Sequence, residues 1–313
     1  MLTQSPSYLT LRHIPYTRCI VTPILPRPTL TSLGIHYRRI PILSIGRDIY
    51  CDSRMIIAKL EQLYPDHRLA ATQPFDQAVE YLVENFINDG GPFWRTAQTI
   101  SPELVSEEFA KDRSEMTGRK FEREGRERDR PEAMGHLRMY FDWMEEKVLG
   151  DGREWVLGGK EVDLADVHAA WLFDWAGNLA GLRKEGVVSE ERYPGVWKWL
   201  ERYIGKVEEV RKVDGRMGTV SDEETIEKIL GAGFAEEEGK IDEVDPLKLK
   251  KGQVVEMWPV DSGMNHHEKG ELVSIAANEV VVKSEVPGGK GHLRIHYPRT
   301  NFKIVPMQEG SKL

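Results

Sequence analysis

Apolar positions change their spacing twice along the chain, and each change marks a new type of element. In the first 65 residues, β-branched and apolar residues predict strands over 16–21, 39–45 and 48–51, with Gly46-Arg47 as the two-residue turn of a hairpin. Asp52-Ser53 then opens a stretch in which Met55, Ile56, Ala58, Leu60 and Leu63 share one face and which closes before Pro65, the signature of an N-capped helix. From Gln73 to Lys212 the period is helical. Met134, Leu137, Phe141, Met144 and Val148 recur at steps of three and four, as do Leu164, Val167, Trp171, Trp175 and Leu179, so both sets predict amphipathic bundle helices.

Ser221 begins a short helix, and residues 235–243 form an acidic, glycine-containing linker. Beyond Pro246 the spacing predicts strands over 253–258, 270–275, 279–283, 294–297 and 302–305, broken by glycine, proline and asparagine. Five short strands of this kind suggest a small barrel of SH3-like type. The boundaries are therefore 1–72 for an α/β unit, 73–234 for a helical domain, 235–245 for a linker and 246–313 for a β-module. That module carries ten Lys/Arg against seven Asp/Glu. It is expected either to cover the helical domain or to hang free as a partner-binding module.

Composition narrows the function classes. A chain of 313 residues with 40% apolar and 30% charged residues is an ordinary globular protein with room for two or three domains. Forty-three basic against 51 acidic residues give a net charge of -8, which argues against a nucleic-acid or anionic-membrane partner for the whole chain. No apolar run approaches the roughly 18 residues needed to span a bilayer, and MLTQSPSYLTLRHIP lacks the apolar centre of a signal peptide. Two cysteines, Cys19 and Cys51, suit a reducing compartment, so a cytoplasmic location is expected, with both thiols read as core. Arg119 to Arg130 holds ten charged residues in twelve and reads as a solvated helix face or connection. His266-His267-Glu268 lacks a third ligand at metal spacing, so no metal site is expected.

The order IPY, strand, Leu33-Gly34, YRRIPIL, GRDIYCDS and an amphipathic helix ending at LYP resembles the thioredoxin-like N-terminal domain of the glutathione S-transferases. The resemblance implies a cis proline at Pro41, with the backbone of Ile40 meeting the cysteinyl part of glutathione. It implies that Ser53 and the helix amides hold the γ-glutamyl carboxylate, while Asp52 meets the amino group. Unpaired amides at a helix start favour an anion on physical grounds alone. Arg38 or Arg39 would reach the glycyl carboxylate. Further on, GGKEVDLAD resembles the family's capping box and buried aspartate, with structural roles for Asp163 and Asp166, and YPGVWKWL resembles its YP-x-x-x-x-W helix. The match runs from Tyr8 to Val213.

The implied fold is a thioredoxin-like unit followed by the transferase-type helical domain. The implied activity is conjugation of glutathione, as substrate, to a small electrophile, in a protein expected to dimerise. Phe86, Phe93 and Trp94 are placed on the wall of the electrophile pocket. The loop LPRPTLTSLG and the C-terminal extension look most like fungal proteins of natural-product pathways, which makes the electrophile a pathway intermediate. Two other readings fit the same resemblance: an isomerase or dehydratase using that cleft, or a non-catalytic interaction module. YLTLRHIPY corresponds to the end of the family's first helix and the turn into its second strand. The first strand, and the Tyr, Ser or Cys that stabilises the thiolate there, are therefore expected to be absent from this sequence. Ser5, Ser7 and Tyr8 are the nearby hydroxyls.

Overall fold

A computed structural model describes residues 4–214 and 217–307. Along the chain it runs α1 (Gln4–Leu11), β1 (Arg18–Cys19), α2 (Pro28–Ser32), β2 (Ile42–Ile45), β3 (Asp48–Cys51), α3 (Ser53–Leu63), α4 (Pro74–Asp89), α5 (Pro92–Gln98), α6 (Glu107–Thr117), α7 (Arg123–Trp143), α8 (Leu164–Asp174), α9 (Pro194–Asp214), β4 (Thr219–Val220) and α10 (Asp222–Gly231). Five strands follow: β5 (Val254–Pro259), β6 (Glu268–Ile275), β7 (Glu279–Glu285), β8 (His292–Pro298) and β9 (Phe302–Pro306). A π turn extends α7 over Met144–Val148 and another extends α8 over Trp175–Leu179. The first predicted strand shortens to two residues, and the third keeps its predicted bounds.

The chain divides into two compact units. The helical unit takes residues up to 16, 61–110 and 121–217. Its pillar is α8, in which ten of eleven residues are buried. Asp163 starts that helix in extended conformation and accepts the amides of Ala165 and Asp166 at 2.8 and 3.2 Å, while Asp166 accepts the Asp163 amide, so the capping box is closed from both sides. Asp166 also accepts the Val156 amide at 3.0 Å and the Trp199 indole N–H at 2.7 Å. Phe141, Phe173, Tyr193 and Trp199 pack edge-on against one another at 4.8 to 5.8 Å. The charged run 119–130 is not merely a solvated face. Arg126 is buried, donates to the carbonyls of Ala97 and Gln98, and lies over the Phe121 ring; burial lowers its pKa to about 10.

The second unit takes 17–60, 111–120 and the residues from 218 onward, and its centre is one seven-stranded sheet in the order β2-β3-β8-β7-β6-β5-β9. All five C-terminal strands form where the alternation predicts. The separate barrel does not: among the described residues no closure is found, and the strands continue an open sheet into the N-terminal hairpin. The joint is a parallel pairing of β3 with β8, Asp48 opposite Arg294 and Tyr50 opposite His296. Every residue of β3 is buried, as expected of a strand with neighbours on both edges and cover on both faces. Ile49 and Cys51 face a core built with Leu33, Ile35, Tyr37, Val255, Val282, Leu293 and Ile295. Strand β1 pairs only with β4, in parallel, and β2 only with β3, so β1 and β2 lie in different sheets with no strand between them among the described residues.

The joint is held by a buried ion network. Asp48, fully buried, receives a two-pronged contact from Arg294 at 2.7 and 2.9 Å, His296 at 3.0 Å, and the amides of Ala235 and Glu236 at 2.6 and 3.1 Å. The other ring nitrogen of His296 meets Glu279 at 2.7 Å, Lys59 bridges Glu236 and Glu279 at 2.9 Å each, and the Tyr50 hydroxyl donates to Glu236 at 2.6 Å. Burial works against the Asp48 carboxylate, yet the bonds from His296 and Arg294 outweigh it and hold its pKa at about 2. Burial likewise disfavours the imidazolium, but Asp48 and Glu279 overcome it and raise the pKa of His296.

Two outcomes follow. A chain ending at Asp245 loses Arg294, His296 and most of the sheet-unit core, so its thermal melt is expected to lose the transition of that unit; an unchanged melt would mean that the C-terminal strands hang free. Because the folded pKa of His296 is raised, its contribution is complete below the ordinary histidine value of about 6.5 and is lost as pH rises through the raised value. Asp48, with its lowered pKa, contributes above about 4 and loses that contribution as pH falls towards about 2. Urea denaturation between pH 6 and 9 should show falling stability in the native protein and a flatter profile in His296→Gln. Parallel profiles would contradict the assignment.

Candidate functional site

The hairpin register assembles the site. Ile42 pairs with Cys51, so the preceding Ile40–Pro41 and the following Asp52–Ser53 leave the same end of the ladder side by side. The Ile40–Pro41 peptide is cis, as is Leu25–Pro26, which carried no sequence signal. Ile40 is 44% exposed, and its backbone N–H and C=O have no hydrogen-bond partner among the described residues. Asp52 takes a left-handed conformation at φ 76° and accepts the Arg54 amide at 3.1 Å, closing a tight turn into α3. Ser53 begins α3, and its hydroxyl and the amides of Ser53 and Met55 are likewise unpaired among the described residues.

This arrangement has a definite chemical preference. Open amides and a hydroxyl at the start of an eleven-residue helix attract a carboxylate, and the Asp52 carboxylate alongside attracts an ammonium. The free edge of the Ile40 peptide can pair with another peptide in strand fashion. An amino-acid head joined to a short peptide satisfies all three.

Arg39 sits differently from a free cation. One of its terminal nitrogens meets both Asp261 oxygens, at 2.9 and 3.2 Å, another lies 3.5 Å from Asp52, and the guanidinium rests over Tyr37 and Phe302. Burial pulls its pKa down, but Tyr37, Asp52 and Asp261 together raise it, so the group stays charged. Arg38 is buried against Asp112 and Glu115. Asp261 and Asp112 are the functional neighbours that sequence reasoning missed. They lie 222 and 74 residues away from their partners, in segments with no motif. Cys51 is fully buried, and burial raises its thiol pKa, so it offers no thiolate. Cys19 is half-buried rather than core, its sulfur 3.3 Å from Asp222.

Phe86, Phe93 and Trp94 belong to the helical unit, where they separate. Phe86 packs on Tyr140 and Trp143. Phe93 instead packs on Trp171 and Trp175, and Trp94 meets Phe93. Of the N-terminal hydroxyls, Tyr8 is fully buried and donates to Glu61 at 2.6 Å, with burial and Glu61 raising its pKa, while Ser5 and Ser7 are buried. None lies in the unit that carries Ile40 and Ser53. His266 pairs with Glu115, and His267 stacks on Trp258.

Comparison with known proteins agrees with this geometry. Residues 7–68 match the family described as glutathione S-transferase, N-terminal domain, and residues 94–212 match a domain of unknown function, DUF7962. A GST-like protein from Pseudomonas syringae shares the fold over 97% of this chain and 95% of its own, with a TM-score of 0.70 at 22% identity. A glutathione S-transferase from Rhodospirillum rubrum aligns over 74% of this chain and 88% of its own, with a TM-score of 0.48 at 15% identity. One from Methylobacterium radiotolerans, solved with glutathione sulfonate, aligns over 65% and 88%, with a TM-score of 0.42 at 16% identity. No curated protein matches the chain. The fold is thus that of a glutathione S-transferase-like protein, a thioredoxin-like portion combined with a helical domain. Among the described residues, no helix is long and apolar enough to cross a membrane.

Proposed function

We propose that this protein binds glutathione and delivers its thiol to a small electrophile. The observation that carries the reading is the open peptide edge of Ile40 beside the unpaired start of α3, with Ser53 and Asp52 placed for the two charges of a γ-glutamyl head. The Ser53 hydroxyl and helix amides would take the carboxylate, Asp52 the ammonium and Ile40 the cysteinyl peptide. Arg39, fixed by Asp261, would hold Asp52 in place and present its remaining donors to the glycyl end. In conjugation by addition the thiol gives up its proton, the sulfur bonds to one carbon of an activated double bond, and the displaced π pair takes up a proton at the neighbouring carbon. In the same reading the electrophile is a natural-product intermediate of a fungal pathway, and the protein is a cytoplasmic homodimer.

Retention on immobilised glutathione tests the binding directly. Ser53→Ala is expected to weaken glutathione affinity by about 1.5 to 3 kcal/mol, the scale of a hydrogen bond to a charged group. An unchanged dissociation constant would reduce Asp52-Ser53 to a helix cap.

A further inference from the structure

Two arginines stand directly before Ile40 and the cis Pro41, and both already have counter-charges. Arg38 is buried against Asp112 and Glu115. Arg39 is shared between Asp261, whose two oxygens meet one of its terminal nitrogens, and Asp52 at 3.5 Å. The rings of Tyr37 and Phe302 lie against the same guanidinium. The three charged side chains are not equally open: Arg39 is 15% exposed, Asp52 17% and Asp261 28%. A ligand reaching this corner meets more carboxylate than cation. Asp261 comes from the loop after β5, outside the stretch Tyr8 to Val213 in which the motifs of the site are found.

The charges decide what Arg39 can offer. One guanidinium between two carboxylates has no surplus positive charge, and when an ammonium takes Asp52 the remaining pair of Arg39 and Asp261 is neutral. A carboxylate laid against a neutral pair gives up water without gaining a counter-charge. An uncharged amide at the same place gives up far less. We propose that Asp261, acting through Arg39, sets the specificity of the site for γ-glutamylcysteinyl peptides whose C-terminal end is uncharged, as in an amide, over those that end in a free carboxylate. The inference rests on the reading of Asp52, Ser53 and Ile40 as a γ-glutamyl peptide site and names the substrate class of that site. Asp261 is thus a positioning residue: it consumes the charge that would otherwise capture the glycyl carboxylate.

Titration calorimetry of the full chain with glutathione and with its glycinamide analogue, which differs only in the C-terminal charge, tests it. The native protein is expected to bind the amide roughly two- to fivefold more tightly, the scale of a partly exposed charge pair. Asp261→Asn, which keeps the size of the side chain and removes its charge, should remove that preference by tightening glutathione roughly two- to fivefold relative to the amide. A merely structural contact would instead change both affinities alike. Native protein that binds glutathione at least as tightly as the amide, or a preference for the amide that survives Asp261→Asn, would overturn the proposal. Native protein that binds neither peptide would overturn the glutathione reading itself, and this inference with it.

Discussion

The carboxylate of Asp48 is the constraint on which the sheet unit depends. It lies at the start of a strand with no access to water, where an unpaired charge would cost several kcal/mol. Every group that satisfies it comes from the chain after residue 234: the guanidinium of Arg294, the imidazole of His296 and the amides of Ala235 and Glu236. The N-terminal hairpin and the C-terminal strands are therefore not two modules in contact. They form one sheet whose central charge is neutralised only when both are present. Lys59 adds α3 to the same network through Glu236 and Glu279.

That dependence extends to the candidate site. The pairing of β2 with β3 sets Ile40–Pro41 beside Asp52–Ser53, and β3 is itself held by β8. Asp261, from the loop after β5, anchors Arg39 over the rings of Tyr37 and Phe302. The C-terminal strands thus contribute to the site from beneath without supplying its exposed groups. The result is a rigid frame around a small set of unpaired peptide groups, which suits recognition of a peptide-like ligand.

The helical unit shows the same economy within one helix. Asp166 has three donors converging on it and locks the start of α8 to Val156 and Trp199. One turn and a half further on, the buried indole N–H of Trp171 has no acceptor among the described residues.

Local order was legible in the sequence wherever neighbouring residues decide it. The hairpin turn at Gly46-Arg47, the start of α3 at Ser53, the Asp163 cap and the five C-terminal strands each follow from spacing and turn chemistry within a few residues. What covered those elements was not legible, because burial and pairing across more than 200 residues leave no periodic trace. The alternation of β5 to β9 is the same for a barrel and for an extension of an existing sheet, and only the pairing of β3 with β8 chose between them. Arg39 reads as a free cation until Asp261 is brought to it, and Arg126 as a solvated charge until α7 folds over the carbonyls of Ala97 and Gln98. Sequence alone determined which backbone groups stand open at Ile40 and Ser53. Tertiary structure decided which charges were already neutralised around them, since partners separated so far along the chain meet only in the folded sheet.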